Sequence, residues 1–209
     1  MAPMTATTSP VTIRGYAPGD LEALRDICVR TGLVGGDATG HYADPAILPA
    51  IFAEPYAAFD PGLVFVADDG SRAIGYVVAT DDSVAFFERF AAEWAPALAE
   101  RFPAPEGKPT TPDEELRDLL HHAGRMLVPE IAAAHPAHLH IDLLPEGQRR
   151  GLGRRLMNAL FDALRARGVP GVHLGMSPAN TNARAFYDRI GFTELPGHGE
   201  GITHLGVRF

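Results

Sequence analysis

The stretch His138–Leu156, HLHIDLLPEGQRRGLGRRL, decides how this chain folds. Polar and apolar residues alternate from His138 to Leu144, the period of a strand, and Pro145 stops it. A helix follows from Leu152 to Arg167, with Leu152, Leu156, Leu160 and Leu164 stacked at i, i+4 and Gly168 ending it. Between the two, Arg149, Arg150, Arg154 and Arg155 crowd a helix start whose macrodipole is already positive, where acids would be the stabilising choice. A bound anion resolves that conflict, because free backbone N–H groups and guanidinium groups can share it. Gly151 and Gly153 leave room for phosphate to approach the backbone.

Working outward, strands and helices alternate along the chain. Val11–Tyr16 reads as a strand and Leu21–Arg30 as a helix with Leu21, Leu24, Ile27 and Cys28 on its apolar face. TGLVGGDATG, Thr31–Gly40, is a glycine-rich loop, and Asp44-Pro45 reads as the cap and first residue of a second helix. Leu63–Ala67 and Ala73–Ala79, split by Asp68-Asp69-Gly70-Ser71, form a hairpin signature. Ser83–Phe102 has helical spacing, Pro103–Pro112 is a loop, and Thr111-Pro112-Asp113-Glu114 is a capping box that starts another helix. Gly171–Met176 is a buried strand, Ala179–Ile190 a helix and Ile202–Phe209 a closing strand. These elements give one α/β domain over residues 1–209, with a helical insertion at about 81–136.

Composition bounds the function. The 209 residues are 46% hydrophobic and 21% charged, with a formal net charge of −8, which describes a globular chain poorly suited to broad nucleic-acid binding. No apolar run is long enough to span a membrane, MAPMTATTSP has no basic or apolar leader, and Cys28 is the single cysteine. A cytoplasmic protein is expected. Charge is divided unevenly: Phe86–Ala137 carries nine acids against five bases, and His138–Gly191 carries eight arginines against four acids. The division suggests two surfaces meeting two different ligands, with a merely solvated charge pattern as the plain alternative.

The arginine turn is not a P-loop, which needs Gly-Lys followed by Ser or Thr. It is not a dinucleotide fingerprint either, because Leu156 stands where the third glycine belongs. Gln148-Arg-Arg-Gly-Leu-Gly153, after a strand and before an amphipathic helix, resembles the acetyl-CoA pyrophosphate motif of the GNAT N-acetyltransferases. Asn180-Thr-Asn-Ala183-Arg-Ala-Phe-Tyr187-Asp-Arg-Ile-Gly191-Phe192 resembles the second motif of that family. GGDATGHYADP (35–45), GYVVATDDSVAFF (75–87) and a tryptophan-bearing insertion are similar, more narrowly, to the acetyltransferase-like domain of eukaryotic O-GlcNAcases and its stand-alone bacterial relatives. The hydrolase domain of those proteins has no counterpart here.

The resemblance implies a mixed, mostly antiparallel sheet flanked by helices, with the insertion preceding the cofactor-binding strand. It implies a V-shaped opening between the strands at 138–144 and 171–176. Pantetheine would pair with backbone near Leu143 and Leu144, and the diphosphate would sit on Gln148, Arg149, Arg150, Gly151, Leu152, Gly153 and Arg154. Asn180 and Asn182 would stand near the pantetheine arm, with capping of the following helix as the plain alternative for Asn180. Tyr187 matches the family's usual acid, and a phenol of pKa ~10 gives its proton downhill to a thiolate of pKa ~8.5.

For the base, His138, His140 and Asp142 share one strand face. Asp142 is the first candidate and His140 the second, against structural hydrogen bonding as the alternative. The same His-x-His-x-Asp pattern suits a metal, but the family needs none. Asp37, Tyr42, Glu93 and Trp94 are candidates for the acceptor side, with an Asx turn and a packed ring as the plain readings of the first two. The expected activity is transfer of acetyl from acetyl-CoA to the amine of a small molecule or peptide, by a monomer or homodimer. The alternative is an acetyl-CoA-binding or interaction module without turnover.

Overall fold

The computed structural model describes residues 10–196 and 201–209. The opening MAPMTATTSP, where no leader is expected, lies outside the described residues except for Pro10. Seven strands form one sheet: β1 (Thr12–Gly15), β2 (Val64–Asp68), β3 (Ala73–Thr80), β4 (Ala137–Leu143), β5 (Gly171–Met176), β6 (Thr193–Glu194) and β7 (Thr203–Arg208). Their spatial order is β1-β2-β3-β4-β5-β7-β6. Every neighbouring pair is antiparallel except β4 and β5. All eight residues of β3 are buried, which is why that central strand reads as an almost unbroken apolar run.

The parallel pair is the informative one. β4 and β5 match only at Ala137 with Val172 and at His138 with His173. Beyond His138, β4 keeps its bonds to β3 as far as Leu143 opposite Gly75, while β5 turns to β7 along its whole length. The sheet therefore opens from His138 onward, leaving one edge of β4 without a strand among the described residues.

Helices cover both faces. α1 (Leu21–Thr31), α2 (Ile47–Phe52) and α3 (Glu54–Phe59) lie with the insertion on the face carrying His138, His140 and Asp142. The insertion joins β3 to β4 through α4 (Ser83–Arg89), a π-helical turn Phe90–Trp94, α5 (Ala95–Leu98), α6 (Pro112–His121) and α7 (Pro129–Ala134). α8 (Leu152–Ala166) packs on the opposite face and buries Leu152, Leu156, Leu160 and Leu164. α9 (Thr181–Arg189) follows β5.

Two elements depart from expectation. Asp44 does not cap a helix beginning at Pro45. Its carboxylate accepts from the Ala46 amide at 3.1 Å in a preceding turn, and α2 starts at Ile47. The helix expected over 83–102 ends at Leu98 and passes through the π turn ahead of Pro96; Pro96 has no N–H to offer the preceding turn, and a π-bulge is one way a helix absorbs that loss. The capping box at Thr111 forms, with Thr111 Oγ1 accepting from Glu114 N–H at 3.2 Å. The Glu114 carboxylate reaches the Thr110 amide, one residue earlier than the simple motif, at 2.8 Å.

Candidate active site

At the mouth of the opening, the Leu143 side chain is held in a socket of glycines. A Cβ on Gly75 would lie 2.2 Å from Leu143 Cδ2, one on Gly147 3.2 Å from the same atom, and one on Gly153 3.4 Å from Leu143 Cδ1. Larger residues at these positions would push the end of β4 away from the turn that follows. Leu144 is fully buried and its amide donates to Ile74 O at 3.0 Å, so the strand enters the turn at a fixed angle. Gln148 Nε2 donates back to Leu143 O at 2.9 Å.

The turn has the backbone of an anion cradle. Arg149 and Gly151 both have positive φ, 57° and 74°, and such alternation of left- and right-handed residues turns successive N–H groups inward. The first-turn amides of Leu152, Gly153 and Arg154 have no intrahelical acceptor, no side chain caps α8, and no acid stands in its first turn. A Cβ on Gly151 would meet nothing within 4 Å, so the space there is open. Leu152 is buried and contributes only its backbone.

Among the described residues, no carboxylate pairs with Arg149, Arg150, Arg154 or Arg155. Arg150 donates to Glu146 O at 3.1 Å, Arg154 to Arg189 O at 3.4 Å and Arg155 to Val11 O at 2.9 Å. Most other arginines of the described residues sit on acids, as Arg14 does on Asp20 and Asp68 and Arg25 on Glu54. An uncapped helix start bordered by arginines that no carboxylate neutralises fits a diphosphate.

Deeper in the opening, Asp142 and His140 are half-buried on β4 and Tyr187 is buried on α9. Tyr76, opposite Asp142 in the β3–β4 register, donates its hydroxyl to Asp142 Oδ2 at 2.6 Å. Burial raises the Asp142 carboxyl above its ordinary range, and the Tyr76 bond works against that rise. Burial, with the charge of Asp142 as a lesser cause, holds the Tyr187 phenol protonated well into alkaline pH. His140 is pushed down to about 4 by burial, so its ring is neutral at physiological pH.

Asn180 caps α9, its Oδ1 accepting from Ala183 N–H at 3.1 Å, while Asn182 is exposed on the first turn. The glycine-rich loop reaches the same place: Asn180 Nδ2 lies 3.5 Å from where a Gly35 Cβ would stand. That loop carries Val34 at φ 52°, an uncommon conformation for a β-branched residue, and presents Leu33 and Val34 to solvent. Nothing in the sequence pattern had marked Val34.

The acceptor candidates are engaged locally. Asp37 forms the Asx turn, accepting from Thr39 N–H at 2.8 Å. Tyr42 packs edge-on against His41. Glu93 pairs with Arg89 at 2.9 Å on the exposed side of the insertion. Trp94 donates to Ala50 O at 2.8 Å and lines a cavity of about 120 Å³ with Tyr16, Leu21, Glu54 and two alanines. The negative insertion spends other acids in the same way: Asp113 accepts from Ala43 N–H and Asp118 pairs with Arg125 and His122.

Cys28 is buried beside Tyr76, and burial pushes its thiol far up, which suits core packing. Tyr56, Tyr76 and Ser83 contact the β4 face and were not singled out from sequence. Tyr76 alone could have been found, since hairpin register plus β3–β4 pairing brings it opposite Asp142. Among the described residues no three metal-ligating side chains converge.

The acetyltransferase (GNAT) family profile matches residues 37–192. The solved structure of SsHAT is 52% identical, covers 95% of this chain and 98% of its own, and superposes with a TM-score of 0.91. Protein O-GlcNAcase of Rattus norvegicus is 24% identical over 92% of this chain, but this chain spans only 21% of that protein. Mycothiol acetyltransferase of Beutenbergia cavernae is 42% identical over 73 residues, 35% of this chain and 24% of its own length.

Proposed function

Because the chain belongs to the acetyltransferase (GNAT) family, we propose that it transfers acetyl from acetyl-CoA to an amine by direct attack. The observation that carries this reading is the turn after β4, with its left-handed Arg149 and Gly151 and four arginines free of carboxylates among the described residues. Residues 148–154 would hold the diphosphate, and the unpaired edge of β4 beyond His138 would bond the amide-bearing arm as an added strand does. Acetyl-CoA supplies the activated acyl group when bound.

The remaining work falls to side chains. Tyr187, kept protonated by burial, donates a proton to the departing sulfur. Asp142 accepts a proton from the acceptor amine, directly or through water, and Tyr76 orients its carboxylate. His140 presents a neutral ring beside the same path. Asn180 and Asn182 stand at the helix start nearest the arm, and Asp37, Tyr42, Glu93 and Trp94 bear on the acceptor only from a distance. The acceptor is a small molecule or a peptide amine. Among the described residues no helix is long and apolar enough to cross a membrane, and a cytoplasmic site of action suits the cofactor.

A second reading, cofactor binding without turnover, is favoured by one observation. Both candidate bases are already bonded to tyrosines, Asp142 to Tyr76 and His140 to Tyr56. The deciding experiment is thiol release from acetyl-CoA with a panel of primary amines. Amine-dependent release supports transfer; tight cofactor binding with no release for any amine supports the second reading.

A further inference from the structure

Behind His140 lies a buried chain of hydrogen bonds that the acetyl-transfer reading does not use. Pro136 O accepts from Ser83 Oγ at 2.6 Å. Ser83 Oγ stands 2.7 Å from His138 Nδ1, His138 Nε2 stands 2.8 Å from Tyr56 Oη, and Tyr56 Oη stands 3.1 Å from His140 Nε2. Ser83 is fully buried, as are Tyr56 and His138 to within a few percent. The His138 ring is held by stacking on Phe87, with centroids 5.1 Å apart.

The direction of this chain is fixed from one end. A carbonyl only accepts, and a hydroxyl has one proton. Ser83 must therefore give its proton to Pro136, since otherwise two lone-pair oxygens would face each other at 2.6 Å. Ser83 Oγ can then only accept, so His138 carries its proton on Nδ1. Burial keeps His138 neutral, so its Nε2 is a lone pair that takes the Tyr56 hydroxyl proton. Tyr56 Oη in turn accepts, which puts the His140 proton on Nε2.

We propose that Ser83, His138 and Tyr56 are positioning residues that lock His140 in the Nε2–H tautomer, so that its Nδ1 is a fixed hydrogen-bond acceptor for the incoming amine. Nδ1 carries no hydrogen bond among the described residues, and His140 is half-buried on the face it shares with Asp142. An amine that donates one N–H to Nδ1 is oriented, and Asp142 remains the group that takes a proton. The amine role rests on the acetyl-transfer reading; the tautomer lock does not.

Long-range ¹H–¹⁵N correlation spectra of the ¹⁵N-labelled protein read the tautomer of each histidine without requiring turnover, with His138 and His140 assigned by their glutamine variants. The expected wild-type pattern is a protonated-type Nδ1 with a bare-type Nε2 for His138, and the reverse for His140. Ser83→Ala removes the fixed end of the chain without touching His140, and the His140 nitrogens should move toward averaged or reversed shifts. Tyr56→Phe should do the same. An Nδ1–H or averaged His140 in the wild type overturns the lock, as does an unchanged His140 pattern in Ser83→Ala. If the lock holds and no amine releases thiol, the acetyl-transfer reading fails alone.

Discussion

The two ends of β4 put their chemistry together differently. At the C-terminal end, the cradle comes from consecutive residues, 148–155, on an exposed turn whose arginines lack acidic partners among the described residues. Along the buried face, His140 gives its hydrogen bond to a residue 84 positions away and Asp142 accepts one from a residue 66 positions away. The first is backbone geometry plus charge, and it is robust to its surroundings because water and ligand supply what the chain leaves open. The second is a set of desolvated polar groups that must satisfy one another. Ligand binding should therefore fail through local changes in the turn, and chemistry through the loss of single atoms in the buried face.

The largest effect is expected from Gly151→Glu. It forces a side chain into φ 74° and puts a carboxylate into an anion site, so affinity for acetyl-CoA should fall by roughly a hundredfold or more. Calorimetry checks it, and the thermal unfolding midpoint of the free protein should fall by only a few degrees, from the strain at φ 74°, since a Cβ there meets no neighbour. Next is Tyr187→Phe, which keeps the ring packed against Phe186 and Phe192 and removes the proton. On the transfer reading kcat should drop about 10²-fold while cofactor affinity stays within a factor of two or so. A comparable loss of both would reduce Tyr187 to a packing residue.

How much of this was legible follows the same division. The arginine turn, the hairpin, α8 and the splayed pair of strands were readable because each is local or follows from a motif. The chain's reading of His138, His140 and Asp142 as one face was also right about placement, since period two settles it. What remained hidden was who answers them. Tyr56 sits on a short helix, Glu54–Phe59, that the sequence pattern did not mark, and Ser83 looked like an ordinary helix start. Glu93 and Trp94 drew attention by charge and ring, and the structure shows them bonded to Arg89 and Ala50. Charge counts register acids without registering which are already spent as caps and ion pairs.

A moderate effect sharpens the contrast through pH. Burial holds His138, His140 and His173 below the ordinary 6.5, the last two at about 4. The unfolded chain takes up protons below pH 6.5 that the folded one refuses, so stability is full above that value and declines as pH falls toward 4. Asp142, raised by burial, works in the opposite sense, but burial lowers His135 as well, so one carboxyl stands against four imidazoles. The urea midpoint should fall clearly between about pH 7.5 and 5, and His140→Gln should flatten that dependence. The smallest effect is expected from Glu93→Gln, which breaks an exposed i,i+4 pair worth about 0.3–0.5 kcal/mol. Its acceptor KM should match the wild type; a clear rise would return the insertion to the acceptor site.

The most direct measurement is calorimetric titration of the wild-type protein with acetyl-CoA, with CoA and NADH alongside. The cradle account expects one acetyl-CoA per chain, CoA bound comparably through the same diphosphate, and NADH bound far more weakly because it has no arm to pair with the open edge of β4. Absence of acetyl-CoA binding, or NADH binding as tightly, would contradict it and leave the arginine turn to some other anion.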